Sequence, residues 1–227
     1  MNLCRVFVSV CICAALVPAD SGAQACRGRP GFATSRVVAN AGVALSSEAR
    51  SISGGVTVGG REGPFASAAI GHVVRYASPT FSTDQTGTSL GASLGYAGTE
   101  GKDGRLELCP ALGITRIKVT GTFLGATATL IQTTRRAGVS AGYTWPVDSA
   151  LSIVPFASIE YVKLGGSLQG DGANLPVPED TYYPVAVGVG AVLRERFGVT
   201  GSVIIPTGIP TGRPSFVIGL STAIGPR

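Results

Sequence analysis

Between Tyr182 and Ile205 the chain reads YYPVAVGVGAVLRERFGVTGSVII, and its residues alternate in kind. Tyr183, Val185, Val187, Val189, Ala191 and Leu193 form one set. Tyr182, Pro184, Ala186, Gly188, Gly190, Val192 and Arg194 form the other. A period of two sends successive side chains to opposite faces of an extended strand, so one face is apolar and the other mostly small. Arg194, Glu195 and Arg196 break the run, and Phe197, Val199, Val203 and Ile205 resume the apolar face against Gly198, Thr200 and Ser202. The stretch predicts a hairpin of two strands of about ten residues each, the length a tilted strand needs to cross a bilayer.

The same unit recurs along the chain. Strands are expected over Arg36–Ser46, Arg50–Gly59, Phe65–Tyr76, Thr88–Gly98, Arg105–Ile117, Arg135–Val147 and Ala150–Leu164, then in the hairpin above, and last over Pro214–Gly225. That is about ten strands, with eight as the alternative, since boundaries read from one sequence are loose. Pro155 falls inside a strand and cannot donate to a ladder, so an irregularity is expected there. The Thr- and Gly-rich stretch 118–134 and the stretch 165–181 read as long loops. The other connections, 60–64, 77–87, 99–104, 146–149, 194–196 and 206–213, complete a short–long alternation, from which the short first break at Ser47–Ala49 departs.

Where such a sheet can sit is decided by charge. Only 14% of residues are charged, with a formal net charge of +5 and 33 glycines among 227 residues. A soluble surface usually carries roughly 25–35% charged residues. The face opposite the apolar one is Gly, Ser, Thr and Ala, and most Asp, Glu, Lys and Arg stand in turns and loops. A bilayer removes the need for a charged exterior, and a narrow lumen favours small inward residues. The fold expected is all-β: a closed antiparallel transmembrane β-barrel. The net charge forms no basic block, which argues against nucleic-acid binding.

The register passes an energetic test. A cation at the bilayer midplane costs roughly 2–4 kcal/mol. Arg75, Glu107, Arg136 and Glu160 all fall on the inner phase and are expected as lumen charges that neutralise one another. Lys163 and Arg116 fall on the outer phase near expected strand ends, within reach of headgroups. Tyr96, Tyr143 and Trp145 stand at strand ends, where interfacial aromatics belong.

The first 25 residues read as an export signal. Arg5 is followed by an apolar run from Val6 to Val17 and by Ala23-Gln24-Ala25, a small-x-small cleavage pattern. Residues 26–35 then form a periplasmic linker and 36–227 the barrel domain. Cys26 and Cys109 are the cysteines expected in the mature chain, an even pair in an oxidising compartment. An even strand count puts both at the periplasmic end, so a Cys26–Cys109 disulfide is expected. It would pin the N-terminal segment against or into the lumen mouth.

Strands such as VAVGVGAVL and SFVIGLSTAIG, and turns of the WPVDSALSIVPF kind, resemble the small outer-membrane β-barrel proteins of Gram-negative bacteria, the OmpX-, OmpW- and OmpA-like group. The chain's end, Ile224-Gly225-Pro226-Arg227, departs from that group's frequent terminal aromatic. The resemblance implies an outer-membrane protein, monomeric, assembled by the barrel-assembly machinery and in contact with outer-membrane lipid. The role expected is structural or one of surface interaction, with a narrow passive channel for small solutes as the alternative. A lipid-modifying enzyme is the second alternative. Enzymatic barrels use histidine with serine or acidic partners, whereas His72, the chain's one histidine, shares the lipid phase of Ile70 and Val74. No catalytic residue, cofactor or metal-ligand set is expected.

Overall fold

The computed structural model describes residues 37–46, 49–59, 62–76, 85–100, 106–123, 126–170, 173–194, 196–208 and 213–224. The expected signal, residues 1–25, and linker, residues 26–35, lie outside them. The strands are β1 Val37–Leu45, β2 Ala49–Gly59, β3 Gly63–Tyr76, β4 Gln85–Glu100, β5 Leu106–Phe123, β6 Ala126–Tyr143, β7 Trp145–Pro146, β8 Leu151–Gly170, β9 Ala173–Leu193, β10 Phe197–Thr207 and β11 Ser215–Ile224. Every pairing is antiparallel. Each strand pairs with its neighbour in sequence except β6 with β7; β6 pairs with β8 instead, and β1 pairs with β11. The two-residue β7 continues β6 past Thr144 and pairs with the start of β8. The result is a closed ten-strand barrel, as expected.

The register is the expected one. Along β10 and β9, Val203 lies opposite Val187 and Val199 opposite Ala191, with Val187, Val189 and Leu193 exposed and Ala186 and Val192 buried. The same holds around the wall: Ile52, Ile70, Leu94, Leu112 and Ile159 face outward, and Ser53, Ser67, Ser93, Thr115 and Ser158 are buried. Pro155 keeps its register against Val189 in β9, but the ladder to β6 and β7 runs from Trp145–Ile153 to Gly142–Phe156 and skips it. Pro110 does the same between β4 and β5, where the pairing passes from Gly95–Ala111 to Gly98–Leu108. Each proline sits where its missing N–H leaves a gap on one side only.

The wall is uneven in height. β1, β2, β10 and β11 hold 9, 11, 11 and 10 residues. β5, β6, β8 and β9 hold 18, 18, 20 and 21. Crossing a bilayer takes about 9–11 residues, so the second group rises well beyond it. This corrects the expectation of loops at 118–134 and 165–181. Both stretches are paired strands, with Thr120 opposite Thr129 and Leu168 opposite Leu175. The intervals between strands shrink to 124–125 and 171–172.

The physical reason lies in the two faces of the tall strands. On β5 the outward residues run Leu106, Leu108, Pro110, Leu112 and Ile114, then change to Arg116, Lys118 and Thr120. At the same height the inward phase changes the other way, from Glu107, Gly113 and Thr115 to Ile117 and Val119, both buried. On β8 the outward series Ile153, Pro155, Ala157, Ile159, Tyr161 gives way to Lys163. The inward one passes from Ser158 and Glu160 to Val162 and Leu164, the latter 1% exposed. Leu130, Val177 and Leu168 pack together inside the tall part. The lower barrel is apolar outside and mostly small or polar inside, with Phe65, Val154 and Phe156 as larger apolar fillers, as lipid permits. The upper barrel is largely apolar inside, with Gln85, Gln132 and Thr134 buried among the apolar residues, and polar outside, as water demands. The level at which the faces exchange marks one edge of the hydrocarbon layer.

Candidate functional site: the barrel lumen

Register arranges the inward residues of β5, β6, β8 and β9 in rows. Glu107 lies level with Gly142, Phe156 and Gly188; Cys109 with Ser140, Ser158 and Ala186; Ala111 with Gly138 and Glu160; Gly113 with Arg136, Val162 and Tyr182. In places large and small residues alternate across neighbouring strands, so that Phe156, Glu160 and Phe65 each lie over a glycine. A Cβ on Gly188 would come 2.5 Å from Phe156, and one on Gly138 would come 2.6 Å from both Glu160 Cγ and the Ile159 carbonyl oxygen. Phe65 lies over Gly95 in the same way and packs with Ala97, Cys109 and Ala111.

Three of the four expected lumen charges are found there. Glu107 and Glu160 are inward and buried, at 6% and 7% exposure. Arg136 is half-buried and donates from Nη2 to Thr115 Oγ1 at 2.6 Å. Tyr182, buried beside Arg136, lies within electrostatic reach of Arg136, Glu160 and Asp180. The side chain of Arg75 lies outside the described residues; its backbone pairs with Arg50 beside a register shift. Phe65, Ser93, Cys109, Gly113, Arg136 and Glu160 help line a cavity of about 20 Å³, room for roughly one water.

Cys109 is 2% exposed on the lumen face and is disulfide-bonded. Its expected partner, Cys26, lies outside the described residues. Several lumen polar atoms make no hydrogen bond to the described residues: Asn40 Oδ1, Ser51 Oγ, Gln85 Nε2, Gln132 Nε2, Thr134 Oγ1 and Ser158 Oγ. Buried polar groups usually find partners, so these atoms are available to whatever fills the lumen.

Tyr96, Tyr143 and Trp145 are exposed on the outward face at the end of the barrel where β1 begins and β11 ends. At the other edge of the apolar band, sequence reasoning misses a second aromatic contact. Tyr161 and Tyr183 meet edge to face with ring centroids 5.8 Å apart. Their outward phase is legible in sequence, but the pairing depends on the β8–β9 register. Tyr182, placed by the same alternation on the inward face, is buried there. His72 is exposed on the outward face between buried Gly71 and Val73, away from the lumen.

A closed wall with an apolar exterior band and a polar, glycine-notched lumen defines a transmembrane β-barrel. The chain belongs to the autotransporter beta-domain family, whose model matches residues 33–213. In three dimensions it is similar to the translocator domain of the autotransporter NalP from Neisseria meningitidis, with a TM-score of 0.59 at 12% identity, covering 98% of this chain and 100% of that one. It is also similar to the beta domain of the Bordetella autotransporter BrkA, with a TM-score of 0.50 at 13% identity, covering 83% and 98%. No curated protein matches it in sequence. The chain is a protein of the outer membrane. The resemblance drawn from the sequence holds at that level, and the family is now resolved to the autotransporter beta-domain.

Proposed function

We propose that this barrel is a translocator unit, through whose lumen the chain ahead of β1 is threaded, and that a Cys26–Cys109 disulfide anchors that segment inside. The observation that carries the reading is Cys109. Cys109 is buried on the lumen wall and disulfide-bonded, and a disulfide there would hold its partner's Cα about 5.5–6 Å away. Every other cysteine of the chain, Cys4, Cys11, Cys13 and Cys26, precedes β1. Between Cys26 and Val37 the chain can reach roughly 35–40 Å when extended, ample to cross the lumen from the foot of β1 to that of β5. The unpaired polar atoms of the wall suit a polypeptide occupant, which brings donors and acceptors with it.

This reading replaces a purely structural role. A freely open channel fits less well, since a segment tethered at Cys109 would occupy the lumen. No catalytic role is proposed, as His72 faces outward. At membrane level the barrel closes on itself through the β1–β11 and β6–β8 pairings and leaves no strand edge open in the bilayer, which supports a monomer, inserted by the barrel-assembly machinery.

The test is an epitope placed ahead of Cys26, after the expected cleavage site, in the full chain. On intact cells it becomes accessible to protease and antibody at the surface, and non-reducing peptide mapping joins Cys26 to Cys109. An epitope retained in the periplasm would contradict threading. A free Cys26 thiol would contradict the anchor.

A further inference from the structure

We infer that the outer rim of the tall wall carries a binding site for phosphate groups of an outer-leaflet lipid. On three neighbouring strands the first outward residue beyond the apolar band is basic: Arg116 follows Ile114 on β5, Arg135 precedes Ala137 on β6, and Lys163 follows Tyr161 on β8. Lys118 adds a fourth cation one step further along β5. Arg135 lies directly opposite Lys163, and Arg116 is diagonal to Arg135, whose own partner on β5 is Ile114.

Like charges directly opposite one another are destabilising in a sheet, and nothing in barrel closure requires them here. One carboxylate is at hand. Glu179 pairs with Lys163 at 2.5 Å and feels Arg135 as well. Among the described residues no carboxylate pairs with Arg116 or Lys118. Hydroxyls stand among the cations, since Thr133 lies opposite Arg116 and Thr88 opposite Lys118. Four cations, one acid and hydroxyl donors form a receptor for an oxyanion.

Height identifies the source of that oxyanion. The patch begins where the outward face leaves hydrocarbon, which is the depth of lipid headgroups. Barrels keep short turns in the periplasm and taller structure outside, so the tall hairpins face out and the headgroups are those of the outer leaflet. A lipid-borne phosphate can reach the patch while its acyl chains lie along Leu112, Ile114, Val139, Ile159 and the Tyr161–Tyr183 pair. A free phosphate would gain none of that apolar contact.

The test is binding to the full chain, folded in neutral detergent, followed by native mass spectrometry and thermal unfolding. Bis-phosphorylated lipid A is the probe, with the same glycolipid stripped of phosphate and inorganic phosphate alone as comparators. The phosphorylated lipid is expected to stay bound and to raise Tm, and each comparator to do neither. The variant R116Q/K118Q/R135Q/K163Q, checked as folded by its heat-dependent gel shift, should bind at least about tenfold more weakly, from loss of several charge-assisted contacts. Arg50→Gln, on the outward face of the low wall, should bind as the parent does. If the fourfold variant does not fold, R135Q/K163Q serves instead, and it too should lose affinity. Undiminished binding by a folded variant, equal binding of the phosphate-free lipid, or the full Tm rise with inorganic phosphate alone would each overturn the site.

Discussion

The barrel has a low wall, β10, β11, β1 and β2, and a tall wall, β5, β6, β8 and β9. Both follow the same alternation, and their lower halves obey the same rule of apolar outside and small inside. They differ in what happens past about ten residues. The low wall ends where lipid ends. The tall wall continues with its two faces exchanged, so that Ile117, Val119, Leu130 and Leu164 are buried inside while Arg116, Lys118, Arg135 and Lys163 stand outside. One chain thus satisfies two solvents in succession. The inversion level, not the strand ends, defines the membrane edge on this side.

Large effects should come from placing one charge on the two parts of the same outward face. Val139→Arg, within the apolar band, is expected to cost about 2–4 kcal/mol. Thr129→Arg, on the same strand above the inversion, should cost only about 0–1 kcal/mol. Urea titration of the barrel in lipid vesicles measures both. Equal costs would erase the distinction between the two parts.

The inward face gives the complementary contrast. Leu164→Ala removes a fully buried side chain from the upper core and should cost about 2–5 kcal/mol. Ser158→Ala, below the inversion, removes a hydroxyl that makes no hydrogen bond and should stay within about 0.5 kcal/mol. Thermal unfolding of both in one detergent sharpens the comparison.

Gly138 tests the packing of the lower lumen. A methyl there meets the Ile159 carbonyl as well as Glu160, and the backbone cannot swing away. Gly138→Ala is expected to cost about 1–3 kcal/mol, seen as a lower temperature for the gel shift. Unchanged stability would mean a roomier lumen than these contacts allow.

The smallest effect concerns the rim. Lys163 holds the exposed Glu179 carboxyl below its ordinary value of 4.5. A lowered carboxylate pKa contributes stability that is complete above 4.5 and lost as pH falls through the folded-state value. Glu179→Gln should therefore lower Tm slightly near neutrality, and the difference from the parent should vanish as pH falls below that range. A difference that persisted unchanged into acid would contradict the pairing.

Much of the lower barrel was legible in the sequence, because lipid imposes one unambiguous pattern. The outward Ile70, Leu94 and Val187 and the inward Glu107, Arg136 and Glu160 follow from parity alone. The tall hairpins were not legible for the same reason. Strands were delimited by outward apolar residues, and at Arg116 and Lys163 that signal stops although the period of two continues. Ile117 and Val119, read in the opposite phase, carry the missing signal. The lumen rows, the Tyr161–Tyr183 contact and the opposed Arg135 and Lys163 depend on register between strands, which no single strand encodes.

The inversion can be located directly. Single cysteines along the outward face of β8, at positions 153, 157, 159, 165, 167 and 169, would carry a fluorophore in vesicles whose lipids bear a quencher on the acyl chain. Strong quenching is expected at 153, 157 and 159, with little at 165, 167 and 169. Quenching that persisted undiminished through 169 would place the whole of β8 in lipid and contradict the account.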